Sequence, residues 1–185
     1  DIVNSSLGYT TFSAKAMDYK YSDLDGKTSP ASRAITTAFQ RGMIIVTSAG
    51  NSGSDEWKYV GTPADSPEAF SIGALNKDGS RAYFSSFGPT ADGRTKPDVS
   101  ALGVDVAAVA ANGRCLTGAN GTSLASPLVA GLMACLRQAV PDATNKELLD
   151  AVRASADQAD KPDNERGWGQ PDFAAAYRML IAARK

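Results

Sequence analysis

The sequence predicts an α/β domain built on a parallel β-sheet, and three observations lead to that prediction. Residues 43–50, MIIVTSAG, form a continuous β-branched run of strand length, as expected for a strand buried on both faces. Residues 32–42 before it have apolar side chains at helical spacing, and residues 1–8 resemble another short buried strand. Strand, helix and strand with short connections are typical of a parallel β-α-β unit.

The remaining segments continue this pattern within one domain. Helical spacing of apolar residues predicts four helices, over 32–42, 123–140, 144–152 and 173–183. Gly42 is a natural stop for the first helix, and the capping box Thr144-x-x-Glu147 opens the third. Residues 69–75 predict a buried strand, and residues 81–103 an irregular segment. Residues 105–110 and 114–118 predict short strands or a hairpin around Asn112-Gly113.

Composition and charge limit the classes of function. The 185 residues are 43% hydrophobic and 21% charged, with a net charge of -1, which is ordinary for a globular domain. The basic residues are scattered rather than clustered, so nothing in the charge indicates a nucleic acid or an anionic membrane as partner. No run of about 18 apolar residues is present, so the sequence predicts no membrane span.

The two cysteines are too few for a disulfide framework. Cys135 falls on the apolar side of the helix after Ser123, and we expect a free, buried thiol there. A disulfide with Cys115 is the alternative that the spacing leaves open.

Ser123 stands where a helix is expected to begin, in the segment NGTSLASPLVAGL. Unpaired N–H groups and a partial positive charge at a helix start would stabilise an oxyanion formed when Ser123 attacks a carbonyl. Gly118 and Gly121 allow close approach of a substrate backbone, and Pro127 is expected in the first helical turn. The alternative is structural: Thr122 or Ser123 simply caps the helix.

Asn51 follows the predicted strand over 43–50. Side chains just beyond the carboxyl ends of parallel strands commonly bind ligands or take part in catalysis. The Asn51 amide could donate an N–H to developing negative charge. The alternative is that GNSG is only a turn.

Taken together and in this order, these segments resemble the subtilisin-like serine proteases. The resemblance rests on five segments besides NGTSLASPLVAGL and extends over nearly the whole chain: SSLG, TSAGNSG, TPADSPEAFSIGAL, FSSFGPTADGRTKPDVSALG and GWGQPDFAAAYRML. It implies a subtilisin-like three-layer α/β fold on a parallel sheet, with the N-terminal portion missing. Residues 1–185 would then be the C-terminal portion of a single peptidase domain.

The resemblance also implies roles for individual residues. Ser123 matches the nucleophile, and Asn51 the oxyanion-hole side chain, which acts together with the backbone N–H of Ser123. Two short segments match the walls of the pocket for the residue before the scissile bond: Ser6, Leu7 and Gly8 on one side, and Ser48, Ala49 and Gly50 on the other. Small residues in both walls leave room for a large substrate side chain.

The chain contains no histidine, although a serine nucleophile needs a base. In the subtilisin-like family the aspartate and the histidine both precede the serine, and neither of their usual motifs occurs here. The α/β-hydrolases, whose G-x-S-x-G elbow is similar to GTSLA, place the histidine after the serine instead. The family order therefore favours a serine protease whose front part is absent.

These points lead to one leading hypothesis and two alternatives. The leading hypothesis is the serine-bearing part of a secreted or cell-envelope endopeptidase, inactive alone, which acts on peptides or proteins after joining the N-terminal half of its domain. The alternatives are a catalytically dead module that binds peptides, and a folding or assembly module. The chemistry requires no cofactor. The D-x-D-G run at 23–26 is compatible with structural calcium or with a solvated turn. An exposed sheet edge would favour pairing with another copy.

Overall fold

A parallel sheet forms the centre of the molecule. The computed structural model describes residues 1–110 and 112–184. Within them, neighbouring strands of the central sheet follow one another in chain order: β1 (Ile2–Ser5), β2 (Ile44–Ser48), β3 (Ala69–Leu75) and β4 (Val99–Leu102). Every pairing is parallel, for example Ser5 with Thr47 and Ile72 with Val99. The predicted parallel α/β architecture is confirmed.

Helices cover both faces of this sheet and complete the three layers. They are α1 (Pro30–Gln40), α2 (Thr122–Ala139), α3 (Asn145–Ala154) and α4 (Phe173–Ala182). Side chains alternate between the faces of a strand, so Ile45 packs with Ile35 of α1, while its neighbours Ile44 and Val46 join the larger core. Val129 and Met133 of α2 lie at the centre of that larger core.

The helix ends agree with the sequence signals. Gly42 adopts a φ of 84° just after α1, a conformation that favours glycine. The Thr144 side chain accepts a hydrogen bond from the backbone N–H of Glu147, whose carboxylate accepts one from the N–H of Thr144, so the capping box is confirmed. Residues 9–28, between β1 and α1, contain two short 3-10 helices, Lys15–Met17 and Tyr21–Asp23. Among the described residues, none of the helices combines the length and apolarity that crossing a membrane requires.

Two strand predictions have different outcomes. The segment 81–103 was predicted to be irregular throughout, which is wrong at its end, where β4 pairs with β3. Four residues are too few for a local strand signal, and the pairing that completes this strand is non-local. The hairpin is confirmed: β5 (Val106–Val109) pairs antiparallel with β6 (Cys115–Ala119). Residue 111 and the side chains of 115–117 lie outside the described part.

The prediction of a buried Cys135 is wrong, because its side chain is exposed. The apolar residues of α2 occupy two faces of the helix. Val129 and Met133 point into the core, whereas Leu128 and Leu132 are 44% and 48% exposed on the other side with Cys135. A pairing of Cys135 with Cys115 lies outside the described residues.

A buried ion cluster fastens β4 to the layer of α3. Asp98 accepts hydrogen bonds from Lys96 Nζ (2.8 Å), from Arg153 Nη2 (2.6 Å) and from the backbone N–H of Ser71 (2.7 Å). Burial by itself would raise the pKa of the Asp98 carboxyl, but the adjacent charges of Lys96 and Arg153 outweigh it and hold the pKa below its usual 3.8. The Asp98 carboxylate therefore stays ionised at neutral pH.

Candidate active site

Three chain segments meet at one edge of the sheet. Ser6 directly follows β1, Asn51 follows β2 by three residues, and Ser123 is the second residue of α2. Parallel strands place their carboxyl ends side by side, and α2 begins at that same edge. The predicted nucleophile, oxyanion-hole side chain and first pocket residue are therefore neighbours, although they are 45 to 117 positions apart in the chain.

Asn51 is oriented by the residue before Ser123. Its Oδ1 accepts two hydrogen bonds from Thr122, one from the backbone N–H and one from the hydroxyl, each 2.9 Å long. Thr122 Oγ1 in turn accepts from the backbone N–H of Gly50 at 3.2 Å. Because both donors of Thr122 bind the amide oxygen, the amide nitrogen of Asn51 is turned away from them.

Asn51 Nδ2 and the backbone nitrogen of Ser123 both lie close to Gly121, which has no side chain. A β-carbon built on Gly121 would lie 3.6 Å from Asn51 Nδ2 and 3.7 Å from the backbone nitrogen of Ser123. Gly121 has a φ of 149°, which side-chain-bearing residues rarely adopt. Two nitrogen atoms that can donate hydrogen bonds therefore lie close to a position where glycine leaves space, with Leu124 Cδ2 as the third neighbour at 3.4 Å.

The capping alternative for Thr122 and Ser123 is wrong. Gly121 is the N-cap of α2, and it makes no side-chain capping bond. The Thr122 hydroxyl is bound to Asn51, and half-buried Ser123 lies inside the helix. Pro127 is the sixth helical residue, beyond the first turn where the sequence placed it.

A pocket of about 220 Å³ opens beside Ser123. Four of the six predicted wall residues line it: Ser6, Gly8, Ser48 and Gly50. The other two do not. Leu7 is 60% exposed. Ala49 is fully buried and packs with Val60 and Ala64.

Sequence reasoning missed two aromatic residues of this pocket, Trp57 and Tyr59. Their segment, EWKYVG, lies in what the sequence presents as a turn-rich loop. Two aromatic residues two positions apart in a polar loop were the available signal, because Trp and Tyr combine a large apolar surface with a hydrogen-bonding group and are enriched at interfaces. Tyr9 and Thr10 also line the pocket and were missed as well.

The comparisons with known proteins agree with this geometry. The model of the Subtilase family matches residues 1–169, which is most of the chain. The chain belongs to the subtilase family.

Two curated subtilases illustrate the extent of the match. The serine protease AprX of Bacillus subtilis (strain 168) is 30% identical over 190 residues, covering 91% of this chain and 41% of AprX. Subtilisin NAT of Bacillus subtilis subsp. natto is 34% identical over 158 residues, covering 84% of this chain and 35% of that protein. The chain therefore spans less than half the length of these relatives.

Solved structures show the same subtilisin-like fold. The self-cleaved protease domain of PatA aligns with a TM-score of 0.74 at 22% identity, covering 98% of this chain and 62% of that one. A protease from Pseudoalteromonas arctica PAMC 21717 aligns with a TM-score of 0.70 at 26% identity, covering 97% of this chain and 51% of that one.

The acidic residues suggested for calcium are engaged in local turns. Asp25 accepts hydrogen bonds from the backbone N–H groups of Lys27 and Thr28 at 2.8 and 2.7 Å, and Asp23 accepts one from the N–H of Lys20. In the part of this subtilase that the structure describes, no group of three or more Cys, Asp and Glu side chains is arranged to hold a metal ion.

Proposed function

We propose that this chain carries the nucleophile and the oxyanion hole of a serine endopeptidase. Ser123 is the nucleophile, and its backbone N–H and the Asn51 side chain are the oxyanion donors. The observation that carries the proposal is the pair of hydrogen bonds from Thr122 to Asn51 Oδ1, because they turn the amide nitrogen toward the point that Ser123 N–H also faces. Preorganised donors of this kind stabilise the charge that develops on a substrate carbonyl.

The proposed reaction proceeds through an acyl-enzyme. Ser123 Oγ bonds to the carbonyl carbon of the substrate while its proton passes to a base, and the carbonyl oxygen becomes an anion between the two donors. The C–N bond then breaks, and the leaving amine takes the proton. Water hydrolyses the resulting ester and regenerates Ser123. This chemistry requires no cofactor.

We further propose that the base comes from polypeptide outside this sequence. The 185 residues contain no histidine, and the chain spans only 41% of AprX. Residues 1–185 are then the C-terminal portion of a single peptidase domain, inactive without the N-terminal portion.

Two surfaces of this chain are suited to contact that N-terminal portion. Within the described residues, β1 is paired only with β2, so its other edge is open. The outer face of α2, next to β1, exposes Leu128 and Leu132. In the isolated chain the open edge of β1 would instead favour pairing with a second copy.

The substrate is a peptide or protein, with the side chain before the scissile bond in the pocket beside Ser123. Extracellular or cell-envelope location is part of the proposal and rests on the resemblance to the secreted members of the family. Structural calcium is not part of it, since Asp23 and Asp25 already accept backbone hydrogen bonds.

Hydrolysis of a peptide p-nitroanilide by the natural polypeptide that contains this sequence tests the proposal. We expect steady release of p-nitroaniline, and its loss in Ser123→Ala. Specific binding of the peptide without any Ser123-dependent hydrolysis would favour the alternative, a peptide-binding module without chemistry. If the protein neither binds nor hydrolyses the peptide, only the folding or assembly role remains.

A further inference from the structure

Ser86 binds both peptide groups that flank Asn51. Its backbone N–H donates to the carbonyl of Gly50 at 2.9 Å, and its Oγ accepts from the N–H of Ser52 at 3.0 Å. The Gly50 carbonyl belongs to the peptide group before the Asn51 α-carbon, and the Ser52 N–H to the peptide group after it. Peptide groups are rigid, so the backbone of Asn51 can turn only by moving one of them away from Ser86. The two hydrogen bonds together therefore fix the backbone of Asn51.

A third contact supports the same turn. The N–H of Gly53 donates to the carbonyl of Phe84 at 2.7 Å. Residues 50–53 and residues 84–86 therefore run side by side in opposite directions, joined at both ends of the turn. The segment 84–86 supports the turn that carries Asn51 from outside the sheet.

Ser86 and Thr122 hold different parts of Asn51. Thr122 binds the oxygen of the side-chain amide, whereas Ser86 binds the backbone on either side of the α-carbon. The position of Asn51 Nδ2 depends on both, because a correctly turned amide on a displaced α-carbon still misses its target. Groups that stabilise a transition state must be held within about 0.5 Å of their productive geometry.

The segment that contains Ser86 is itself anchored. Ser86 is 1% exposed, and the preceding Ser85 is fully buried. The Oγ of Ser85 accepts from the N–H of Ala74 in β3 at 3.0 Å, and the carbonyl of Phe87 accepts from the N–H of Val60 at 2.9 Å. Because these bonds do not involve the Ser86 hydroxyl, the segment keeps its anchors when that hydroxyl is removed.

We propose that Ser86 is a positioning residue of the oxyanion hole, acting through the backbone of Asn51. The inference rests on the proposed function, since it gives Ser86 a part in stabilising the charge that attack by Ser123 creates. Ser86 also lines the pocket beside Ser123, so the alternative is a direct contact with the substrate.

Hydrolysis of a peptide p-nitroanilide by the natural polypeptide carrying Ser86→Ala is the first measurement. The variant keeps the backbone bond to Gly50 and leaves the N–H of Ser52 without its acceptor. We expect kcat to fall about fivefold, the factor that corresponds to one hydrogen bond, with KM changed less than about twofold. An unchanged kcat would overturn the proposal.

Ser85→Ala is the matched control. Ser85 is as deeply buried as Ser86, its Oγ also accepts one backbone N–H at 3.0 Å, and it is not one of the described residues that line the pocket. Both variants should unfold at a lower urea concentration than the wild type, whereas only Ser86→Ala should lower kcat. An equal loss of kcat in both would assign the effect to general loss of stability and overturn the positioning role.

The Asn51→Ala background separates positioning from direct contact with the substrate. A residue that acts through Asn51 loses its effect once the amide is gone, so Ser86→Ala should change kcat less than about twofold in that background. A contact between Ser86 and the substrate would persist there. The same loss in both backgrounds would therefore overturn the proposal.

Ser86→Cys guards against misfolding of Ser86→Ala. It keeps a side chain of similar shape, and its sulfur accepts hydrogen bonds only weakly. We expect kcat to fall in this variant as well. A wild-type kcat in folded Ser86→Cys would contradict the positioning role.

The same measurements separate this inference from the proposed function. Hydrolysis retained in Ser123→Ala, or a kcat unchanged in Asn51→Ala, would refute the proposed site and the inference with it. A fall of kcat in Asn51→Ala without one in Ser86→Ala would refute the inference alone.

Discussion

The hydroxyl of Ser6 donates a hydrogen bond to the backbone carbonyl of Ser123, over 3.2 Å. That carbonyl would ordinarily accept the N–H four residues later in the helix, but residue 127 is a proline and has none. A residue at the end of β1 thereby completes the first turn of α2 and ties the proposed nucleophile to the sheet.

The first prediction concerns this contact. In the natural polypeptide, Ser6→Ala should slow fluorophosphonate labelling of Ser123 by up to about fivefold, equivalent to the roughly 1 kcal/mol of one hydrogen bond. Pro127→Ala supplies an N–H that can reach the same carbonyl, so the effect of Ser6→Ala should be smaller in that background. Equal effects in both backgrounds would show that the carbonyl contact is unimportant.

The second prediction separates the two functions of Asn51. Asn51→Asp keeps an oxygen for the Thr122 donors but removes the N–H that faces the oxyanion, whereas Asn51→Ala removes both. Both variants should lower kcat by about 10²–10³, the range known for loss of the oxyanion-hole asparagine of subtilisin, which belongs to this family. If Asn51→Ala lost activity while Asn51→Asp kept it, Asn51 would be assigned to holding the helix start rather than to catalysis.

The third prediction concerns stability. Asp98→Asn leaves buried Lys96 and partly exposed Arg153 without their common counter-charge, and should lower the free energy of unfolding by about 3–5 kcal/mol in urea titrations. Asp150→Asn is the matched control. It removes an ion pair with Arg153 at 3.1 Å, but Asp150 is half exposed, so its loss should cost less than about 1 kcal/mol. Similar losses in the two variants would contradict a special role for the buried cluster.

The fourth prediction is a pair of opposite pH dependences. The folded pKa of Asp98 is lowered, so the stability it confers is complete above its unfolded value of 3.8 and is lost as the pH falls through the folded value. Burial, only partly offset by the Ser32 hydroxyl at 2.5 Å, raises the pKa of Asp65. Its contribution is therefore complete below 3.8 and is lost as the pH rises through the folded value.

Urea titrations at several pH values on either side of 3.8, the unfolded value of both carboxyls, check these signs. As the pH falls, the difference in unfolding free energy between wild type and Asp98→Asn should shrink. Over the same fall in pH, the unfolding free energy of the wild type should rise relative to that of Asp65→Asn. If both differences change in the same direction with pH, the direction of the pKa shift is wrong for Asp98 or for Asp65.

The sequence predicted the parts of this site that depend on local patterns. A strand followed by Asn51 and a glycine-rich start of a helix at Ser123 can be recognised within short windows, and the parallel arrangement then brings them to one edge. The contacts that orient Asn51 come from Thr122, 71 positions away, and no local pattern reports them.

The features that the sequence missed depend on non-local packing. β4 becomes a strand only by pairing with β3, and Tyr59 lines the pocket beside Ser123, 64 positions away in the chain. Cys135 was assigned to the core because α2 is apolar on two faces, and apolar spacing alone does not tell which face meets the sheet.

The most direct test of the central claim is labelling by a fluorophosphonate probe, read by mass spectrometry of the Ser123 peptide. The natural polypeptide and the isolated 185-residue chain are labelled in parallel. The proposal predicts a Ser123 adduct that forms rapidly in the natural polypeptide and is lost in Ser123→Ala, with little adduct on the isolated chain. Absence of the adduct from the natural polypeptide would contradict Ser123 as nucleophile, and equal labelling of both proteins would contradict a base supplied from outside this sequence.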